Sequence, residues 1–248
     1  MKYSIHKRGE IAMKNILKIM LMMITIYTIT GSAVYAAEIP VSDQDQLITS
    51  SDWTEISNLQ DEMKKEEPDA TIDYDKALKV YVDCNLIKLQ TADTKKLTSA
   101  LESANYVWVI PFKMEKTYGM FTVAKGLPLS EEAKSVLTKA EQEEVKNHAG
   151  KWMITETAEH TVEPYYDILL EKREALSDCT RVVLVGSQPG MRQPVALGMD
   201  DETARIWISL GYQYPVMEKI PETQNVESGV YSFDSVAEIS DTYIEDSE

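Results

Sequence analysis

Cysteine is scarce in this sequence, with two in the whole chain, and histidine and phenylalanine number three each. Cys84 and Cys179 are too few for a disulfide-rich scaffold or a four-thiolate zinc site, and they are not spaced as a CxxC redox pair. They leave one candidate cross-link, a Cys84–Cys179 disulfide, which an oxidising compartment permits. Beyond the N-terminal segment the histidines are His148, four residues after Glu144, and His160, three before Glu163. Each pair offers two ligands, which is short of a metal site. Asp200, Asp201 and Glu202 form an acidic turn with weak potential for calcium.

The sequence also lacks the motifs that carry common chemistries. It has no HExxH, no P-loop, no EF-hand loop and no GxGxxG following a strand. Ser187 stands between Gly186 and Gly190, without the GxSxG spacing of a nucleophile elbow. Pro189-Gly190 reads as a type II turn, with proline at the second position and glycine at the third. No catalytic residue, metal ligand set or cofactor is expected.

Long apolar runs are confined to the N-terminus. Lys2, Lys7, Arg8, Lys14 and Lys18 precede an uncharged stretch over residues 19–37, and Val34-Tyr35-Ala36 offers small residues for cleavage. This three-part pattern is that of a secretory signal peptide over residues 1–36. The expected location is therefore secreted or on the exterior of the cell envelope, with no stable membrane insertion after cleavage. Positive charge is in deficit, with 25 Lys and Arg against 41 Asp and Glu, a net of −16. The leader carries five bases and one acid, so the remaining chain stands near −20. Such a surface repels nucleic acid and anionic membranes and favours solubility, cations or basic partners.

Residues 37–72 are acidic and turn-rich and read as a linker with one short helix, in which Trp53, Ile56, Leu59 and Met63 have near-helical spacing. Residues 73–212 read as an α+β domain. Strands are expected at 78–83, 106–110, 120–124 and 151–157. A helix capped by Asp93 precedes the second, and a long helix starting at Ser130 and ending at Gly150 follows the third. In that long helix the stripe Ala133, Val136, Leu137, Ala140, Val145 and Ala149 is expected to face the core. A further helix opens at Pro164. The order strand, helix, strand, strand occurs at 78–124 and at 151–199, which suggests two βαββ half-repeats. The fold expected is a mostly antiparallel sheet with helices packed on one face. Residues 213–248 are acidic and aperiodic and read as a disordered tail, with 230–239 able to add an edge strand or helical turn.

Arginine is rare, and three of the four beyond residue 36 fall in the strand meander at 180–210. A tight Pro189-Gly190 turn pairs Leu184 with Val195 and Arg181 with Gly198. With the strand alternation, this register places Arg181, Arg192, Arg205 and Trp207 on one face around Gly198. Two guanidinium groups there would grip an anionic group. The leading expectation is an exported, non-catalytic binding or interaction module for an unknown ligand or protein, with that arginine face as the candidate site. One alternative is a secreted hydrolase whose acids and histidines assemble only in space. Another is a structural scaffold with acidic interaction tails.

Overall fold

A computed structural model describes residues 39–238, apart from 161–162, 187, 189–192, 212–219 and 221–224. The expected signal segment, Arg192, the Pro189-Gly190 turn and residues 239–248 lie outside the described residues.

Among the described residues ten strands form one sheet. They are β1 (Thr71–Ile72), β2 (Leu78–Tyr81), β3 (Tyr106–Lys113), β4 (Tyr118–Lys125), β5 (Trp152–His160), β6 (Arg181–Val185), β7 (Val195–Met199), β8 (Ala204–Ser209), β9 (Asn225–Glu227) and β10 (Val230–Ser232). The order is β5-β4-β3-β2-β6-β7-β8-β10-β9, with β1 pairing β3 off this path. Every named pair is antiparallel except β2 with β6, which run parallel at the centre. The helices are α1 (Trp53–Ile56), α2 (Gln60–Glu66), α3 (Thr94–Ser103), α4 (Glu131–Val136), α5 (Lys139–His148) and α6 (Tyr165–Glu171), and residues 233–238 form a further helical turn. The architecture is α+β with a mostly antiparallel sheet, as the sequence led one to expect.

Cover lies on both faces of the sheet. Successive side chains of a strand point to opposite sides, and in β6 both sets are apolar. Val183 and Val185 pack with Leu97 and Leu101 of α3 and with Trp207, Tyr231 and Phe233. Val182 and Leu184 pack with Tyr165, Ile168 and Leu169 of α6. A third cluster continues the first face over β3 and β4, where Trp108, Ile110, Phe121 and Val123 meet Ile56 of α1 and Met63 of α2. The expected half-repeats share an order of elements but not a connectivity. β2 and β3 are neighbours, whereas β5 and β6 are separated by β4, β3 and β2. The segment carrying α6 takes the chain across the sheet.

Described residues of two segments expected outside the domain belong to its core. Residues 39–72 are not a linker: Leu47, Ile56 and Met63 are fully buried, and Ile39 and Val41 join the α6 side. α1 and α2 are too short to persist alone. Burial of about 2 kcal/mol per large apolar side chain holds them on the sheet while their acids face water. In the expected tail, β10 pairs with β8, and Val230, Tyr231, Phe233 and Val236 are buried. Both a strand and a helical turn occur within 230–239, the stretch expected to add one or the other.

The expected long helix at 130–150 is two helices. Ser130 caps α4 by accepting the N–H of Ala133. Thr138 then turns extended and caps α5 in a reciprocal box with Glu141. Local capping wins over the apolar stripe, since satisfying free amides at a helix start is worth about 1 kcal/mol. Neither helix carries a buried residue, and Val136 is 77% exposed. The pair forms an arm standing off the sheet rather than a core helix.

Candidate functional site

Among the described residues of the expected arginine face, Arg181, Arg205, Gly198 and Trp207 do not come together on one open surface. Observed pairing sets Val185 against Val195 and Arg181 against Met199, one residue from the expected register. A shift of one flips a strand's side chains to the other face. Arg181 therefore shares its side with Leu197 and Met199, while Gly198 looks toward Cys179 and Leu176 on the opposite side. Strand β6 ends at Val185 and β7 begins at Val195, and Gln188 is among the described residues of the connection between them. Gln188, 3% exposed, anchors it by donating to the Cys84 and Gly186 carbonyls and accepting the Leu86 N–H. Gly198 is a packing position, since a Cβ there would stand 2.7 Å from Cys179 Sγ. Trp207 is fully buried in the α3 cluster.

Arg205 is the extra residue of a bulge between β7 and β8, where Gly198 pairs Ile206 and Met199 pairs Ala204. Bulges re-aim a side chain, and Arg205 donates to Asp200. The other Asp200 oxygen accepts the N–H groups of Glu202 and Thr203 at 2.8 and 2.7 Å. These backbone donors, Thr203 first, hold the Asp200 carboxyl below its usual range. The acidic turn is thus a self-satisfied Asx turn. Among the described residues no group of three or more His, Cys, Asp or Glu is placed to hold a metal ion.

Arg181 meets the protein's own acid. Asp45, 2% exposed, accepts from Ser42 at 2.6 Å, Tyr81 at 2.7 Å and Arg181 at 3.0 Å, and Lys79 Nζ stands 3.9 Å away. Lys79 projects from a central strand over the rings of Tyr106 at 4.5 Å and Trp108 at 5.3 Å. Burial lowers the Lys79 ammonium from its usual range, against the pull of Asp45 and Asp52. Asp52 accepts from Tyr106 at 2.8 Å and Trp108 at 3.0 Å. Burial, then the neighbouring aspartate in each case, raises the Tyr81 and Tyr106 phenols. The cluster ties the 42–52 segment to the sheet.

Cys84 and Cys179 are buried free thiols in clusters on opposite faces of the sheet, so the candidate disulfide is not formed. Burial pushes both thiols up to about 11, out of the range of reactive cysteines.

Two concave surfaces lie elsewhere, at the base of the arm. Gly126 and Gly150 pinch the arm shut through Gly150 N–H to Gly126 O at 2.7 Å and Gly126 N–H to Lys151 O at 2.9 Å. Only glycine permits the approach at 126, because a Cβ would fall 2.1 Å from the His148 carbonyl oxygen. A cleft of about 510 Å³ opens on one side of this base, against Val82, Tyr106, Val107, Ala124 and Trp152. A groove of about 630 Å³ runs under the arm, lined by Leu129, Leu137, Val145 and Met153. The two share Gly126, Leu127 and Pro128 as a common wall.

Polar groups stand around these apolar walls. Asp83 borders the first cleft with a left-handed φ of 58° and accepts from Asn105 at 3.0 Å. Lys125 lies 5.5 Å from the Trp152 ring and 3.8 Å from Glu55. Glu141, Glu144 and His148 border the groove. The Trp152 indole N–H is buried without a hydrogen-bond partner. The geometry suits burial of an apolar group beside charges. Sequence reading named His148 and Glu144 only as a possible ligand pair and missed the cleft. Its signal was present in Gly126 and Gly150 framing an apolar stripe, which periodicity assigned to the core.

Comparison of the chain with family models, curated proteins and solved structures finds no match in any of the three.

Proposed function

We propose that the chain is an exported, non-catalytic binding module whose ligand sits in the paired clefts at the base of the 126–150 arm. The export part rests on the basic and apolar pattern of residues 1–36. The site part rests on one observation: an open apolar concavity with Tyr106 and Trp152 in its wall, within the ~300–1,000 Å³ typical of ligand sites. Rigid elements carry it, since Tyr106, Ala124 and Trp152 belong to three adjacent strands. Anion capture by Arg181 and Arg205 has no place in this reading, because Arg181 pairs with Asp45 and Arg205 with Asp200.

The test fills the cleft. The purified chain is titrated with an apolar fluorescent probe, and Ala124→Phe is compared with the parent. The expected outcome is probe binding weakened by about tenfold with the unfolding midpoint retained. Equal binding by parent and variant, or none by the parent, contradicts the proposal.

A further inference from the structure

We infer that the occupant of the paired clefts is a short extended peptide bearing apolar side chains and positive charge, an inference that rests on the clefts being the binding site. Three features converge on this class of ligand.

The first is shape. Two apolar cavities share the wall formed by Gly126, Leu127 and Pro128, so neighbouring side chains of one extended segment can enter both. Each cavity exceeds the volume of a single aromatic side chain, and Leu127 is 57% exposed on the ridge between them.

The second is charge. The carboxylates bordering the two cavities are Asp83, Glu141 and Glu144, and the bordering lysine is Lys125, already placed beside Glu55 and the Trp152 ring. His148 is the remaining titratable side chain there. On the arm, Glu131 pairs with Lys134 and Glu143 with Lys146, so those charges cancel locally. A whole-chain net charge of −16 deepens the local field and speeds encounter with cations. The same field disfavours an acidic peptide or an anionic lipid surface.

The third is unused polar capacity. The exposed Asp83 carboxylate engages Asn105 through one oxygen, leaving lone pairs for a ligand ammonium or guanidinium. Its left-handed backbone presents it at the cleft border, and this strain falls at the proposed site.

Calorimetric titration of the full chain with three probes tests the inference: a hexapeptide alternating lysine with leucine and tryptophan, the same peptide with glutamate for lysine, and the apolar fluorescent probe. The lysine peptide is expected to bind at least about tenfold more tightly than the glutamate peptide, with affinity falling as salt rises. Asp83→Asn combined with Glu144→Gln is expected to remove most of that preference and flatten the salt dependence, with the unfolding midpoint retained. Both substitutions preserve the fold, since asparagine tolerates a left-handed φ and Glu144 is exposed. Equal binding of the two peptides, or an unchanged preference in the variant, overturns the cationic class. Probe binding without peptide binding overturns this inference and leaves the binding-cleft reading standing. Failure of all three probes removes both.

Discussion

At the scale of single residues, Asp45 decides the most. Its side chain is nearly inaccessible and faces two cations, Arg181 and Lys79, neither well exposed. Removing it leaves both cations without their buried counter-charge. Breaking such a pair costs about 3–5 kcal/mol. Asp45→Ala is therefore expected to lower stability by about 3 kcal/mol, read from the denaturant midpoint, and Asp45→Asn by less because it keeps two hydrogen bonds. A change below about 1 kcal/mol in Asp45→Ala would mean that the cluster is solvated. The tyrosines around the cluster set a pH limit. The Tyr81 and Tyr106 phenols ionise above their usual value of 10.0 in the folded chain. Their stabilisation is fully present below that value and is lost as pH rises through the folded values. The melting temperature is expected to fall as pH rises above 10, and less steeply in Tyr81→Phe with Tyr106→Phe. An equal slope in the double variant would place the alkaline sensitivity elsewhere. None of this cluster was legible in the sequence. Asp45 and Arg181 are 136 residues apart, and pairing across such a separation is set by the sheet.

At the scale of elements, local signals were read well where they were local. Asp93 caps α3 through the N–H groups of Lys95 and Lys96, as its position before an amphipathic run implied. The β3–β4 hairpin and α6 also occur where β-branched runs and Pro164 placed them. The errors arise where a longer-range interaction competes. The expected β6–β7 register followed from a two-residue turn, the observed one is shifted by a residue, and Gln188 gave no sign in sequence of its buried partners. The arm failed in the opposite direction, because the capping box at Thr138 is stronger than the stripe that crosses it. Its lack of buried side chains marks it as the segment with the least to lose on opening. Amides of α4 and α5 are expected to exchange with solvent well before those of β3 and β6. Thr138→Ala, which removes a cap worth about 1 kcal/mol, is expected to speed exchange in α5 by about fivefold without moving the global midpoint. Protection of α5 equal to that of β3 would contradict the picture of a free-standing arm.

At the scale of the whole molecule, the α+β class and the antiparallel sheet were legible from alternation and caps, whereas the two-sided cover was not. A strand such as β6, apolar at every position after Arg181, is a strand buried on both faces. The expected arginine face set Trp207 beside a ligand, whereas it is fully buried. Among the described residues no helix is long and apolar enough to cross a membrane. With one face closed by α1, α2 and α3 and the other by α6, the arm base is where strands β3, β4 and β5 leave a concavity uncovered. The most direct test of that assignment is hydrogen exchange of the full chain with and without the lysine-bearing peptide at saturation. The expected result is added protection at 104–107, 124–130 and 149–153, with β6, β7 and β8 unchanged. Protection centred on Arg181, Gly198 and Arg205 instead, or no change at the arm base, would contradict it.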